Sequence, residues 1–221
     1  MPNAAAAGLK DTNIMKHLYH PSALDTDNPV KSWWRESKTD FPAYPELESD
    51  IETDVAIIGG GFTGLSAAYH LQRDHNVQAV VLERSYIGWG ASGRNGGFCC
   101  MGSSKMPWSK MIEKFGLEEA QTFWRSQKAS VELVAEIVER ENLDIDKTGV
   151  GEISLAHKTT LVDALKEDAA FMAKNFGAKE VFVSKEELVE QGLNSPGLHA
   201  GVANPVGFGL NPWKYVNGLA A

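Results

Sequence analysis

The sequence has little cysteine, no clustered basic charge and no long apolar run, and each shortage closes off a class of protein. Its only two cysteines, Cys99 and Cys100, are adjacent. Neighbouring residues make a mutual disulfide improbable on geometric grounds, so there is no cross-linked framework of the secreted kind and a reducing compartment is expected. Lys and Arg number 21 against 29 Asp and Glu, a formal net charge of −8. A chain with that balance, and with no segment that gathers its cations, repels a phosphate backbone and argues against a nucleic-acid partner. No uncharged apolar stretch reaches the ~18 residues that span a bilayer. The opening MPNAAAAGLKDTNIMKHLYHP has no basic segment followed by an apolar block, which is what a signal peptide needs. The expectation is a cytoplasmic protein with no membrane span. The six histidines form no convincing ligand pair. His17-x-x-His20 reads as solvated rather than metal-bound, so no metal site is expected.

What is present suffices for one or two soluble units: 221 residues, 43% hydrophobic and 23% charged, enough to bury a sizeable core. Residues 1–50 contain five of the nine prolines and no sustained period of 2.0 or 3.6, and read as an irregular arm. Trp33 and Trp34 in that arm serve either as an apolar anchor, the reading preferred here, or as part of a ligand site. The run Asp54–Ile58 is nearly all apolar and β-branched, which suits a buried parallel strand. Helical spacing follows at Leu65, Ala68, Tyr69 and Leu71, then a second strand at Val77–Leu82, completing a βαβ unit. From Tyr86 to Gly102 six glycines and no periodicity predict a long functional loop. Pro107 to Asn142 is predicted helical, with Phe123, Ser130, Leu133, Val134, Ile137 and Val138 on one face. A strand at Gly151–Ala156, a helix at Thr160–Asn175, a strand at Glu180–Val183 and a short helix at Lys185–Gln191 then suggest a second, smaller α+β domain.

The chemistry lies in the glycines. Gly59-x-Gly61-x-x-Gly64 stands after a strand and at the opening of a helix, the context a dinucleotide fingerprint requires. Gly59 is expected to make the tight turn, Gly61 to let the backbone approach a pyrophosphate, and Gly64 to allow close helix–strand packing. The pyrophosphate would meet the amides of Phe62, Thr63 and Gly64 at the positive end of the helix dipole. Glu83, at the end of the second strand, is placed to accept hydrogen bonds from both ribose hydroxyls and disfavours a 2′-phosphate. A second glycine-rich stretch, Gly88-Trp-Gly-Ala-Ser-Gly-Arg-Asn-Gly-Gly97, can offer backbone N–H donors to phosphate and flavin oxygens. Nicotinamide folds have no need of it there, so it selects FAD over NAD.

The runs DVAIIGGGFTGLSAAYHL and VVLERSYIGWGASGRNGG resemble the FAD-dependent D-amino-acid-oxidase-type superfamily, and most nearly its γ-glutamylputrescine oxidoreductase-like members. The resemblance is specific over residues 51–97 and weaker beyond. It implies that Gly59, Gly61 and Gly64 hold the pyrophosphate and Glu83 the adenosine ribose. Arg84 would lie by the adenine, and Gly90, Ala91, Ser92, Gly93, Arg94, Asn95, Gly96 and Gly97 would line the ribityl chain and isoalloxazine. Arg94 could instead anchor a substrate carboxylate, although flavin or backbone contact is preferred. Relatives with a histidyl-linked flavin carry a His in this loop; this sequence has none, and neither cysteine matches an attachment position, so non-covalent FAD is expected. The implied chemistry is oxidation of a small primary or secondary amine or amino acid, with a C–H next to nitrogen delivering hydride to the flavin. No catalytic side chain is assignable.

The implied fold class is α/β, a Rossmann-like FAD-binding βαβ domain with a partial α+β substrate domain and an incomplete sheet. The division is an arm at 1–50, the FAD-binding part at 51–148, a partial substrate domain at 149–210, and the start of a return helix at 211–221. About half of a family member is absent from the sequence, so residues 1–221 by themselves are expected to be weakly folded and inactive. Two other readings stay open: another Rossmann-type NAD or FAD oxidoreductase, and an inactive nucleotide-binding fragment.

Overall fold

The fingerprint region folds as a strand, a crossover helix and a parallel strand in the computed structural model, which describes residues 25, 26, 28, 30–37, 40–102 and 105–221. His17 and His20 lie outside the described residues. Within the arm, residues Trp33–Ser37 form a short helix, α1, where an irregular segment was expected. The strand β1 (Val55–Ile58), the helix α2 (Phe62–His75) and the strand β2 (Ala79–Leu82) follow. The two strands run parallel, in register from Val55 opposite Ala79 to Ile58 opposite Leu82, and α2 packs back on both. Asn76, in the left-handed conformation at φ 53°, closes α2, a conformation asparagine tolerates better than most residues.

The expectation that β1 is buried holds on one face only. Val55 and Ile57 are partly covered, whereas Ala56 is exposed and Ile58 is 81% exposed. Alternate residues of a strand point to opposite faces. Among the described residues this sheet has two strands, and no element covers its second apolar face.

The chain continues through a 3-10 turn at Ala91–Gly93 and the strand β3 (Phe98–Cys100) to the helices α3 (Trp108–Phe115) and α4 (Leu117–Arg140). Then come β4 (Glu152–Ala156), α5 (Val162–Phe176), β5 (Val181–Ser184), α6 (Lys185–Glu190), β6 (Ala200–Asn204), β7 (Gly207–Gly209) and α7 (Pro212–Ala220). Strands β4, β6 and β5 make an antiparallel sheet in that order, and β3 pairs antiparallel with β7. The expected unbroken loop from Tyr86 to Gly102 is therefore interrupted by a strand. Neither β6 nor β7 was foreseen, because Ala-Gly-Val-Ala-Asn and Gly-Phe-Gly have little strand propensity; their partners, distant in sequence, make them strands, with Phe98 opposite Gly209 in the β3–β7 pair.

The helical region meets the expectation in part. Gly116, at φ +90°, ends α3 and restarts the chain as α4. The buried stripe of α4 is Ala120, Val131, Ile137 and Val138, while Ser130 and Phe123 are exposed. Ile137 and Val138 of the expected face are buried and Leu133 and Val134 half-buried. In α6 the fit is direct: Ser184 and Glu187 form a reciprocal capping box, which satisfies two otherwise orphan donors.

Helix α7 ties these parts together. Its Val216 is fully buried and its Trp213 is 7% exposed, clustered with Leu65 of α2. Asn211, 2% exposed, caps it by accepting from the amides of Trp213 and Lys214 at 3.1 and 3.2 Å. The Asn211 amide donates to Ser37 Oγ of α1 at 2.9 Å and to Asp146 Oδ2 at 3.0 Å. The Lys214 ammonium, and after it this amide, hold the Asp146 carboxyl below the usual carboxylate range. Replacing Asn211 by Ala removes the cap and both donated bonds, and is expected to lower unfolding stability by about 2–3 kcal/mol. Urea unfolding checks this: a midpoint shift equivalent to under about 0.5 kcal/mol would contradict it.

Candidate dinucleotide site

The site begins where β1 ends. Gly59 stands at φ +106°, a conformation closed to most side chains, and its N–H donates to Leu82 O at 2.8 Å, extending the parallel ladder by one bond. A Cβ on Gly64 would lie 2.1 Å from Gly59 O and 3.1 Å from Ile57 Cγ2. Any larger residue there pushes α2 off the strand. The position a Cβ would take on Gly59 faces open space, and on Gly61 it would meet only the Ser92 side chain, at 3.0 Å. No side chain caps α2. The Phe62 amide donates to Ser92 Oγ at 2.9 Å, and among the described residues nothing accepts from the amides of Thr63 and Gly64. That leaves a concave turn with free donors at the positive end of a helix, suited to an anion such as a pyrophosphate.

The second glycine stretch folds directly onto this turn. Gly88 N–H donates to Gly60 O at 2.9 Å, and Ser92 reaches Phe62 as described. Asn95 fixes the loop from inside: its Nδ2 donates to Ala91 O and Ser92 O, both at 3.1 Å, and its Oδ1 accepts from Gly97 N at 2.9 Å. The glycines divide into two kinds. A Cβ on Gly93 would strike Gly88 O at 2.2 Å, and one on Gly97 would strike Leu210 O at 2.4 Å; both are buried and answer to packing within the protein. Gly90 has nothing within 4 Å, and Gly96 meets only the Phe98 ring, so these leave room for a ligand. Ala91 is exposed. Arg94 is exposed too, with its Nε donating to Gly90 O at 3.3 Å and its guanidinium 4.9 Å from the Trp89 ring.

Glu83 is half-buried at the end of β2. Its carboxylate accepts from the Gly60 amide at 2.7 Å and from the Ser85 amide at 3.0 Å. It thus braces the glycine turn, a role the spacing did not suggest. Two oxygens with about four lone-pair sites leave capacity for hydroxyl donors as well. Arg84 is exposed beside it. Sequence reasoning also missed the tethers around the loop: Trp34, whose indole donates to Asn95 O at 2.8 Å, and Arg35, whose guanidinium lies 4.4 Å from the Tyr86 ring. The tryptophan pair was visible as an anchor, but only Trp34 anchors; Trp33 is 78% exposed.

The remaining chemistry is sparse. Burial, with Cys100 adjacent, pushes the Cys99 thiol up to about 11, and burial raises Cys100 as well; such thiols are poor nucleophiles at neutral pH. Among the described residues no three His, Cys, Asp or Glu side chains converge as metal ligands, and no helix is long and apolar enough to cross a membrane. A cleft of about 490 Å³ lies between α3, α5 and the three-stranded sheet, bounded by Trp108, Leu165, Phe171 and Glu180. It includes no residue of the glycine turn or the second loop.

Comparison with known proteins agrees with this geometry. Residues 54–221 match the family described as DAO, FAD dependent oxidoreductase. The chain is 31% identical over 195 residues to a probable oxidoreductase, OrdL, of Rhizobium meliloti, covering 87% of this chain and 44% of that one. It is 36% identical over 118 residues to the gamma-glutamylputrescine oxidoreductase of Escherichia coli, covering 53% and 27%. An L-amino acid deaminase structure from Proteus vulgaris superposes with a TM-score of 0.61 at 19% identity, over 86% of this chain and 46% of that one, a likeness of fold. The chain thus spans under half the length of the curated relatives it matches. With the family matched across three-quarters of its residues, the chain belongs to the DAO family of FAD-dependent oxidoreductases.

Proposed function

We propose that this protein binds FAD without a covalent bond and, as a whole, oxidises a small primary or secondary amine or an amino acid. The observation that carries the reading is the contact between the two glycine elements. Gly60 O receives Gly88 N–H and Ser92 Oγ receives Phe62 N–H, each at 2.9 Å, so the fingerprint and the second loop form one continuous backbone surface. An NAD site needs only the first of these.

In this reading the free amides of Thr63 and Gly64 hold the pyrophosphate, with Gly59 and Gly61 giving it room. Glu83 takes the ribose hydroxyls on the oxygen sites its own amide contacts leave open, and Arg84 flanks the adenine. Gly90, Ala91, Ser92, Arg94 and Gly96 face the ribityl and ring portion. Gly93, Asn95 and Gly97 support it by shaping the loop. Bound FAD supplies a two-electron acceptor for the C–H next to the substrate nitrogen. The division into a FAD-binding part at 51–148, a substrate-domain part at 149–210 and a returning helix at 211–221 belongs to the same proposal. Amine chemistry is supported by the name of the Escherichia coli relative. Non-covalent attachment is supported by the half-buried, protonated Cys99 and the absence of histidine from residues 86–102.

Acid precipitation of flavin-loaded protein is expected to release all the flavin, and yellow colour left in the washed pellet would overturn non-covalent binding. Gly61→Val, which sets a branched side chain against Ser92 in the pyrophosphate's path, should abolish flavin uptake; a fully loaded variant would remove Gly61 from the site. Glu83→Ala should weaken FAD binding by about 1–3 kcal/mol through lost charge-assisted bonds, read from a fluorescence titration. For the substrate, anaerobic addition of γ-glutamyl-polyamines and secondary amines to the whole protein should bleach the flavin. Bleaching by NADPH and by none of the amines would assign a different reductase class. Residues 1–221 by themselves, with both edges of the β1–β2 pair open, are proposed to hold flavin weakly and sub-stoichiometrically. Flavin measured per chain checks this, and stoichiometric FAD with turnover would refute it.

A further inference from the structure

The two tryptophans of α1 differ sharply in what they touch. Trp33 is 78% exposed. Trp34 is half-buried, and its Nε1–H donates to Asn95 O at 2.8 Å across 61 residues of sequence. Its ring fills the space left by Gly97: Cζ2 and Cη2 stand 3.2 and 3.3 Å from where a Cβ on that glycine would sit. Asn95 in turn holds the carbonyls of Ala91 and Ser92 and the amide of Gly97. Ser92 Oγ accepts from Phe62 N, the first amide of α2, at 2.9 Å. An unbroken series of contacts therefore runs from the arm, through the second loop, to the helix end that faces the candidate pyrophosphate position. The arm's own end is fixed independently: Ser37 Oγ donates to Trp34 O at 2.7 Å and accepts from Asn211 Nδ2 at 2.9 Å.

We propose that Trp34 is a positioning residue for the cofactor, acting through Asn95 to set the Ala91–Gly93 turn against the start of α2. This rests on the FAD reading above. Free peptide loops rich in glycine sample many backbone states, and a loop that must present amides to a ligand loses affinity in proportion to the fraction of time it is misplaced. Residues 88–97 hold four glycines besides Gly88 itself, and the restraints on this stretch come from Asn95 inside it and from Trp34, Gly60, Phe62 and α7 outside. At the C-terminal end Leu210 N–H also donates to Gly97 O at 2.8 Å, and Trp34 is the outside donor to Asn95. Simple core packing is the competing role, since Trp34 also packs against the buried cluster of Leu65, Trp213 and Val216. The two differ in where they act: packing alone stabilises the whole molecule, whereas positioning orders residues 88–97 in particular.

Hydrogen–deuterium exchange on the ligand-free whole protein, paired with an FAD fluorescence titration, separates them. Trp34→Phe keeps an aromatic ring and deletes the N–H donor. Loss of one such bond is expected to speed exchange in residues 88–97 by about fivefold to tenfold, to leave α4 unchanged, and to raise the FAD dissociation constant by a similar factor. Trp33→Phe should alter neither measurement. Unchanged exchange in 88–97 overturns the proposal, and so does a uniform rise that includes α4, because the role is then structural. Undiminished FAD affinity in Trp34→Phe with a loosened loop overturns it as well. A wild-type chain that takes up no FAD at any concentration sinks the FAD reading and this proposal with it, whereas loss confined to the Trp34 comparison leaves the FAD reading standing.

Discussion

Everything near the glycine turn depends on one close approach, that of α7 to the second loop. A Cβ on Gly88 would come within 2.5 Å of Val216 Cγ1, and one on Gly93 within 3.0 Å of Trp213 Cε3. The two glycines are therefore points where a helix more than a hundred residues later presses directly on backbone. Close packing of this kind restrains the loop at Gly88 and Gly93, since interiors pack as densely as organic crystals. With Gly88 pinned from one side by Val216, its amide meets Gly60 O from the other. The candidate cofactor surface is thus shaped from behind by α7, and the free amides of α2 are held in place by residues that never face the ligand.

This explains which parts of the site were legible in the sequence. The fingerprint was, because Gly59, Gly61 and Gly64 answer to local rules: a positive φ, an unobstructed approach, and a helix laid on its own preceding turn. The second loop was legible as a loop but its glycines were read as one class. Only the tertiary contacts divide them into Gly90 and Gly96, which leave space, and Gly93 and Gly97, which α7 and Leu210 fill. Glu83 shows the same limit. Its place at the end of β2 marked it for a ribose, yet its bonds to the amides of Gly60 and Ser85 depend on how the turn folds back. Strands β3, β6 and β7 were invisible for a related reason. β3 and β7 are three residues each and β6 is mostly small residues, and the ladders that make them strands run between segments far apart in sequence. In α4, by contrast, the information was local and was read in part: Ile137 and Val138 of the expected face are buried, whereas Phe123 and Ser130 lie outward and Val131 and Ala120 are buried in their place.

The charges of the site fit the negative balance of the chain. An FAD pyrophosphate is itself anionic, and no lysine stands at the first turn of α2; the positive potential there comes from the unpaired amides and the helix dipole. Backbone donors of this kind are fixed in direction and have no side-chain entropy to lose on binding. In the second loop only Gly90 and Gly96 leave room beside the backbone, whereas Gly88, Gly93 and Gly97 answer to packing within the protein.

The exposed face of β1 remains to be placed in this scheme. An all-apolar strand is the mark of a parallel sheet covered on both faces, yet Ile58 is 81% exposed at the very residue that precedes the glycine turn. Apolar area of that size costs roughly 25 cal/mol for each Å² left in water. The strand's other side is paired to β2 through four residues only, and a two-stranded ribbon is marginal without a packed hydrophobic face. The turn is therefore one corner of a sheet whose second face stays open among the described residues. Its geometry is maintained by α2, by Glu83 and by the loop that α7 and Trp34 hold down, all of which lie on one side. A covering element on the open side would bury Ile58 and add stability without altering Gly59, Gly61 or Gly64, because none of their close contacts is made from that face.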